Sequence, residues 1–257
     1  MNTYIIRSFI FLLLFFVKIY SLRAQTDSLP LNTAGSVINT KEYLLGKFDY
    51  SQDTSFELIP VKYSRITKQY LRKEVLKHFI EMAEDAKKDS VFLYVLSATR
   101  NFEEQKRIWN DKWTGKVLVF RKNLALIKDT VLRAKEILKY SSMPSASRHH
   151  WGTDVDLDAF NNLYFKRGQG LKIYNWLVKN ARKYGFCNPY NEKGKLRDSG
   201  YEEERWHWSY YPIANDCIER YFEEVTYEDI KGFLGSGTAK EIGIIKNYIL
   251  TINSDCR

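Results

Sequence analysis

The sequence predicts an α+β fold: a small, largely antiparallel sheet flanked by helices, with extra helices at the C-terminal end. Three observations predict it. Apolar residues recur at helical spacing in several stretches, short β-rich runs lie between them, and the two kinds of segment are mixed along the chain without any internal repeat.

Taken in order, residues 25–40 are polar, contain Pro30 and Gly35, and read as a flexible leader. Leu71, Val75, Phe79, Met82 and Ala86 predict a helix over about 68–88. Ser90 to Ser97 holds a compact apolar run and predicts a buried strand, and a charged helical stretch follows over 102–113. Leu124, Ile127, Val131, Ala134 and Leu138 form a second helical stripe, which the Ser141-Ser142-Met143-Pro144-Ser145 loop ends. From Asp154 to Phe160 carboxylates alternate with Val155, Leu157 and Ala159, a strand with one polar face. Ile173, Trp176, Leu177 and Ala181 mark a helix that Gly185 closes, and the aromatic segment Glu203 to Tyr211 predicts another strand. Beyond Pro212 the pattern is helical again and includes Ile242, Ile245 and Ile249. One domain over 41–215 is expected, with 216–257 as a C-terminal helical extension packed on it.

Composition, at 44% hydrophobic and 28% charged residues, is that of a soluble globular protein. The first 24 residues differ: an uncharged run from Ser8 to Val17 lies between Arg7 and Lys18. Ten residues cannot cross a bilayer core, which needs about 20. They do suit the apolar region of a secretory signal, with Leu22-Arg23-Ala24 as a cleavage site, so export is expected. An uncleaved anchor is the alternative reading of the same residues. Cleavage removes Arg7, Lys18 and Arg23, which lowers the net charge from +9 to +6. That basicity could favour polyanions such as nucleic acid, anionic lipid or cell wall, but there is no dense Lys/Arg block and no nucleic-acid motif. It reads first as a solvated surface, with a secondary attraction to an anionic polymer. Nucleic acid is therefore not expected as a partner, nor stable membrane insertion after cleavage, and a monomer is expected. Cys187, Cys217 and Cys256 form no Cys-x-x-Cys pair; two of them could form a disulfide, in a combination the sequence leaves open.

Two stretches carry the chemistry: Ser147-Arg148-His149-His150-Trp151-Gly152-Thr153-Asp154-Val155-Asp156 and Glu204-Arg205-Trp206-His207-Trp208. They hold three of the four histidines in the chain. Read together they offer two histidines, a carboxylate and a spare glutamate. A hydrolytic zinc site needs three protein ligands, an open fourth position and a base beside the water. Gly152 permits a bend that returns a loop histidine towards the following strand. Asp154, Asp156 and Asp158 would share one strand face, which in isolation reads first as a solvated acidic row. Glu204 and His207 are three apart, so in a regular strand they would point to opposite faces. A shared site requires a bulge or turn there, or a Glu204 placed just before the strand begins.

The first stretch resembles the Ser-x-His-x-x-Gly-x-Ala-x-Asp signature of the VanY-type D-alanyl-D-alanine carboxypeptidases, within a wider group of zinc peptidases that includes lysostaphin-like enzymes. The second resembles that family's Glu-x-Trp-His motif, in the family's order. Ser97-Ala98-Thr99-Arg100-Asn101-Phe102-Glu103-Glu104-Gln105 is similar to its Ser-Gly-Tyr-Arg-Ser-x-x-x-Gln segment. The resemblance covers roughly residues 90–212. It implies His149, Asp156 and His207 as ligands of one Zn2+ per chain, Glu204 as catalytic base, and Arg100 as the contact for the substrate's terminal carboxylate, with Ser97, Gln105 and Ser147 as further substrate contacts. It also implies D-Ala-D-Ala cleavage in peptidoglycan peptides. Other wall bonds, cut by an endopeptidase or an L,D-carboxypeptidase, and a non-catalytic wall-binding role remain the alternatives. Departures are plain: Asp154 replaces an alanine, Ala98, Thr99 and Asn101 replace Gly, Tyr and Ser, and Ser209 stands where many members have arginine. Asp154 either partners a ligand histidine or faces solvent. His150, Trp151, Trp206 and Trp208 are expected to pack or to line the pocket, and His78 to be an ordinary helix residue.

Overall fold

The computed structural model describes residues 38–195 and 197–257. The expected signal, residues 1–24, and most of the expected leader lie outside the described residues. The Ile38 carbonyl accepts from Arg220, and Thr40 caps the first helix α1 (Lys41–Leu44).

Two antiparallel sheets form the framework. Strands β1 (Phe56–Leu58) and β2 (Tyr70–Arg72) pair as a small ribbon. Helix α2 (Lys73–Lys88) leads to the main sheet, composed of β3 (Val95–Ser97), β4 (Asp154–Leu157), β5 (Phe186–Cys187) and β6 (His207–Tyr210) in the order β3-β4-β6-β5. Between β3 and β4 the chain forms α3 (Phe102–Trp113) and α4 (Thr130–Ile137); α5 (Gly168–Asn180) precedes β5. After β6 come α6 (Tyr211–Glu224), the short α7 (Ala239–Ile242) and a π-helical turn at Ile245–Ile249. The α+β architecture and its C-terminal helices are as the sequence predicts.

Several boundaries differ, each for a local reason. The helix expected from 68 starts at Lys73, because Tyr70–Arg72 find backbone partners in β1. The strand expected over 90–97 is only Val95–Ser97. Ser90 adopts a positive φ of 58° and the Val91 N–H still bonds to Ala86, so these residues complete the exit from α2. The stripe from Leu124 to Leu138 is broken by Asp129, whose carboxylate caps the N–H groups of Val131 and Leu132 and restarts the helix there. The 154–160 strand ends at Leu157, where Asp158 turns the chain at φ 62°.

Pleating sorts the main sheet into two chemically distinct faces. Val155 and Leu157 of β4 and Trp208 and Tyr210 of β6 enter a core completed by Val75, Phe79 and Met82 of α2 and by Ile173 and Leu177 of α5. The alternate residues, Asp154 and Asp156 of β4 and His207 and Ser209 of β6, share the other face. The register places Asp154 directly opposite Ser209 and Asp156 opposite His207. A second core, with Tyr43, Trp109, Trp113, Trp151, Ile137, Tyr221 and Ile249, joins the first helices to the C-terminal ones. All residues of β4 and β6 are buried, so the acidic row is an interior face and not a solvated one.

Candidate metal centre

His149 lies in a 3₁₀ turn, Arg148–Trp151, which Gly152 closes at φ 68°. A side chain there would meet the Phe56 ring at 2.4 Å, so both the conformation and the space require glycine. The turn returns His149 to β4, where its Nε2 lies 3.3 Å from Asp156 Oδ2. Its Nδ1 donates to the Ala98 carbonyl at 2.7 Å, which leaves Nε2 as the free lone pair. His207 is held in the opposite sense. Its Nε2 donates to Asp154 Oδ2 at 2.7 Å, leaving Nδ1 3.0 Å from Asp156 Oδ1.

One ligand atom from each of His149, Asp156 and His207 lies within 4.8 Å of the other two. Asp156 Oδ1 is buried and accepts no hydrogen bond, despite the closeness of His207 Nδ1. Lone pairs that converge without a proton between them are what a shared cation satisfies, and two imidazole nitrogens with a carboxylate oxygen suit a catalytic zinc.

Asp154 is fully buried and does not face solvent. Besides His207 it accepts from Arg148 Nε at 2.9 Å, Thr153 Oγ1 at 2.6 Å and Ser209 Oγ at 2.7 Å. Burial alone would raise its carboxyl, but Arg148 and His207 outweigh that and hold it well below the usual range. Burial likewise disfavours charge on His207, yet its hydrogen bond to Asp154 and the negative charge of Asp156 beside it raise its pKa to about 9. His149 is lowered, by burial first and by Arg100 second.

Glu204 reaches the same site because it precedes β6. The His207 N–H bonds back to the Glu204 carbonyl at 3.2 Å, closing a turn, and Asn188 Nδ2 clamps the carbonyls of both residues at 2.8 and 2.7 Å. The expected strand over 203–211 is thus only His207–Tyr210, and the turn puts the Glu204 carboxylate 3.6 Å from His207 Nδ1. Burial pushes Glu204 up to about 8, with His207 opposing and Asp156 adding to the rise.

A cavity of about 790 Å³ opens over this cluster. Arg100, Gln105, His149, Asp156, Glu204 and His207 all reach its wall. Arg100 Nη1 donates to Ser97 Oγ at 3.0 Å and lies 4.0 Å from Asp156, while its buried Nε has no acceptor. Gln105 donates to the Ser142 carbonyl at 2.7 Å. Ser97 and Ser147 are buried beside the site but are not part of the cavity wall. His150 donates from Nδ1 to the Arg100 carbonyl and accepts from the Ser145 N–H, a structural role that its burial, with a pKa near 3, reinforces. Trp206 lines the cavity, Trp151 and Trp208 pack in the cores, and His78 lies on α2 away from the site.

Sequence reasoning did not single out Tyr190, Tyr201, Lys112 or Phe120, all of which line the cavity, or Asn188 and Arg148 as supports. Arg148 carried a faint signal, a charge inside an otherwise buried motif. The others carried none, because they lie between the motifs.

A family model described as VanY, D-alanyl-D-alanine carboxypeptidase, matches residues 68–213. The chain is 27% identical over 210 residues to YodJ of Bacillus subtilis (strain 168), whose carboxypeptidase designation is itself provisional; the match covers 74% of this chain and 67% of that protein. It is 25% identical over 150 residues to a D-alanyl-D-alanine carboxypeptidase of Enterococcus faecium, covering 58% of this chain and 40% of that one. Among solved structures, the LdcB LD-carboxypeptidase is similar at a TM-score of 0.49 and 24% identity, over 70% of this chain and 81% of the other.

Proposed function

The chain belongs to the VanY family of D-alanyl-D-alanine carboxypeptidases, and from that premise we propose that it is an exported zinc peptidase that removes the terminal residue of D-Ala-D-Ala in peptidoglycan stem or precursor peptides. The convergence of His149 Nε2, Asp156 and His207 Nδ1, with the Glu204 carboxylate beside them at the floor of a cavity, carries this reading.

His149, Asp156 and His207 would hold one zinc ion. When bound, zinc supplies Lewis acidity, which makes water easier to deprotonate and offsets negative charge developing on the peptide carbonyl oxygen. The remaining work falls to the chain. Glu204 is buried, is not needed as a ligand, and is placed to accept a proton from the attacking water and deliver it to the leaving amine. The unpartnered Nε of Arg100 and its neighbouring amino group form a planar fork suited to the substrate's terminal carboxylate. A group that grips a chain end favours release of one residue over internal cleavage. The disulfide between Cys187 and Cys256 supports an oxidising, extracytoplasmic setting.

Metal analysis of protein purified without added zinc is expected to find close to one equivalent per chain, lost in His207→Ala. Glu204→Gln is expected to keep that zinc while D-alanine release from a muropeptide falls on the order of 10²–10⁴-fold. Full activity in Glu204→Gln would place the base elsewhere, and loss of zinc would make Glu204 a ligand.

A further inference from the structure

Helix α3 presents Gln105, Ile108 and Lys112 to the cavity, a stripe along one helix face. Lys112 differs from an ordinary helix lysine. Lys106, on the same helix, pairs in the usual way with Glu103, one turn earlier. Lys112 instead turns inward, and its ammonium donates to Ser141 Oγ on the cavity wall. Its burial and the nearby Arg100 charge lower it to about 8; among the described residues no carboxylate pairs with it, and Glu204 acts only at longer range. A partly buried ammonium near a second cation, without a paired carboxylate, is costly unless an anion enters to neutralise it.

Arg100 does not exhaust that need. Its own fork can take one carboxylate bidentately. Lys112 lies seven residues after Gln105, roughly 10 Å along the helix axis at 1.5 Å per residue. The two cations are held by different partners, Arg100 by Ser97 and Lys112 by Ser141.

We propose that Lys112 is a second anion-binding residue of this pocket, and that the substrate is a peptide carrying a carboxylate in addition to its C-terminal one. The inference rests on the peptidase reading above and narrows its substrate class. The ammonium would exchange its hydroxyl partner, Ser141, for that carboxylate or share it with both. Ser141 and Ser142 line the cavity next to it and supply further polar contacts.

The test uses peptides ending in D-Ala-D-Ala, with glutamate at the first, second or third residue before that end, each beside its glutamine twin. D-alanine release is followed with the zinc-loaded wild type, and equilibrium binding by calorimetry on Glu204→Gln protein. At one position the acidic peptide is expected to bind about 10- to 100-fold more tightly than its twin, as for a hydrogen bond to a charged group. Lys112→Gln should abolish that preference, and Lys112→Arg should keep part of it. The proposal fails if no position shows a preference, if Lys112→Gln retains it, or if Lys112→Gln weakens both twins equally. A binding preference without D-alanine release would overturn the peptidase reading and leave Lys112 standing. Release without a preference would overturn Lys112 alone, and absence of both would overturn both.

Discussion

Asp154 and Ser209 both depart from the family pattern, and in the folded chain they are cross-strand partners. Arg148 bonds to each of them, so a positive charge reaches this spot from the 3₁₀ turn rather than from position 209. The four buried groups Arg148, Asp154, Ser209 and His207 form one connected unit. Within it Asp154 has two tasks: it neutralises Arg148 and it fixes the His207 tautomer whose Nδ1 faces Asp156. Asp154→Ala is therefore expected to lower stability by about 3–5 kcal/mol, since it strands a buried cation. On the proposed zinc reading it should also weaken zinc binding roughly 10- to 100-fold, since His207 loses its orienting acceptor. Denaturant titration reads the first effect and chelator competition the second. An unchanged zinc affinity would reduce Asp154 to a counter-ion for Arg148.

Elements, rather than single residues, hold the Glu204 turn in place. Asn188, immediately after β5, clamps both ends of the turn, and the C-terminal segment braces Asn188 in its turn: Asn253 Nδ2 donates to the Asn188 carbonyl at 3.1 Å. The Cys187–Cys256 disulfide closes a loop 69 residues long over the same contact, while Cys217 stays a free thiol buried against the Tyr43 hydroxyl. Burial raises that thiol to about 11, so it should be inert in the native protein. Replacing both bridge cysteines with alanine is expected to cost about 2–4 kcal/mol in thermal or denaturant unfolding. Equal stability of this variant and the oxidised wild type would show that the bridge contributes nothing to holding β5 and the C-terminal turn together.

On the scale of the molecule, two cores have different jobs. One packs α2 and α5 behind β4 and β6 and keeps the strands in register. The other buries Trp109 and Trp113 of α3 together with Cys217, Tyr221, Ile242 and Ile249 from beyond residue 215. Helix α3 carries Gln105 and Lys112, so the C-terminal helices support one wall of the cavity. A chain ended after residue 215 would expose both tryptophans and is expected to lose cooperative thermal unfolding, measured by circular dichroism and tryptophan emission. A sharp unfolding transition in the shortened chain would make 216–257 a dispensable appendage. No helix among the described residues is long and apolar enough to cross a membrane.

Taken alone, the sequence determined the fold class and most helices, because periodicity is a local property, while the candidate ligand set came from the motifs' resemblance to a family and not from their spacing. Alternation in β4 already assigned Asp154 and Asp156 to one face, but not whether that face was wet. The broken stripe at Asp129 shows the limit of periodicity, since one capping carboxylate outweighed five well-spaced apolar residues. Tertiary structure alone decided how Glu204 and His207, three residues apart, meet: a turn held by Asn188. It alone fixed the histidine tautomers, through acceptors 51 and 53 residues away in the chain, and chose which cysteines pair. It also turned Lys112 inward, where its spacing on α3 would equally suit a solvated lysine. Such choices depend on which groups meet when distant segments pack, and no pattern within a single segment encodes that.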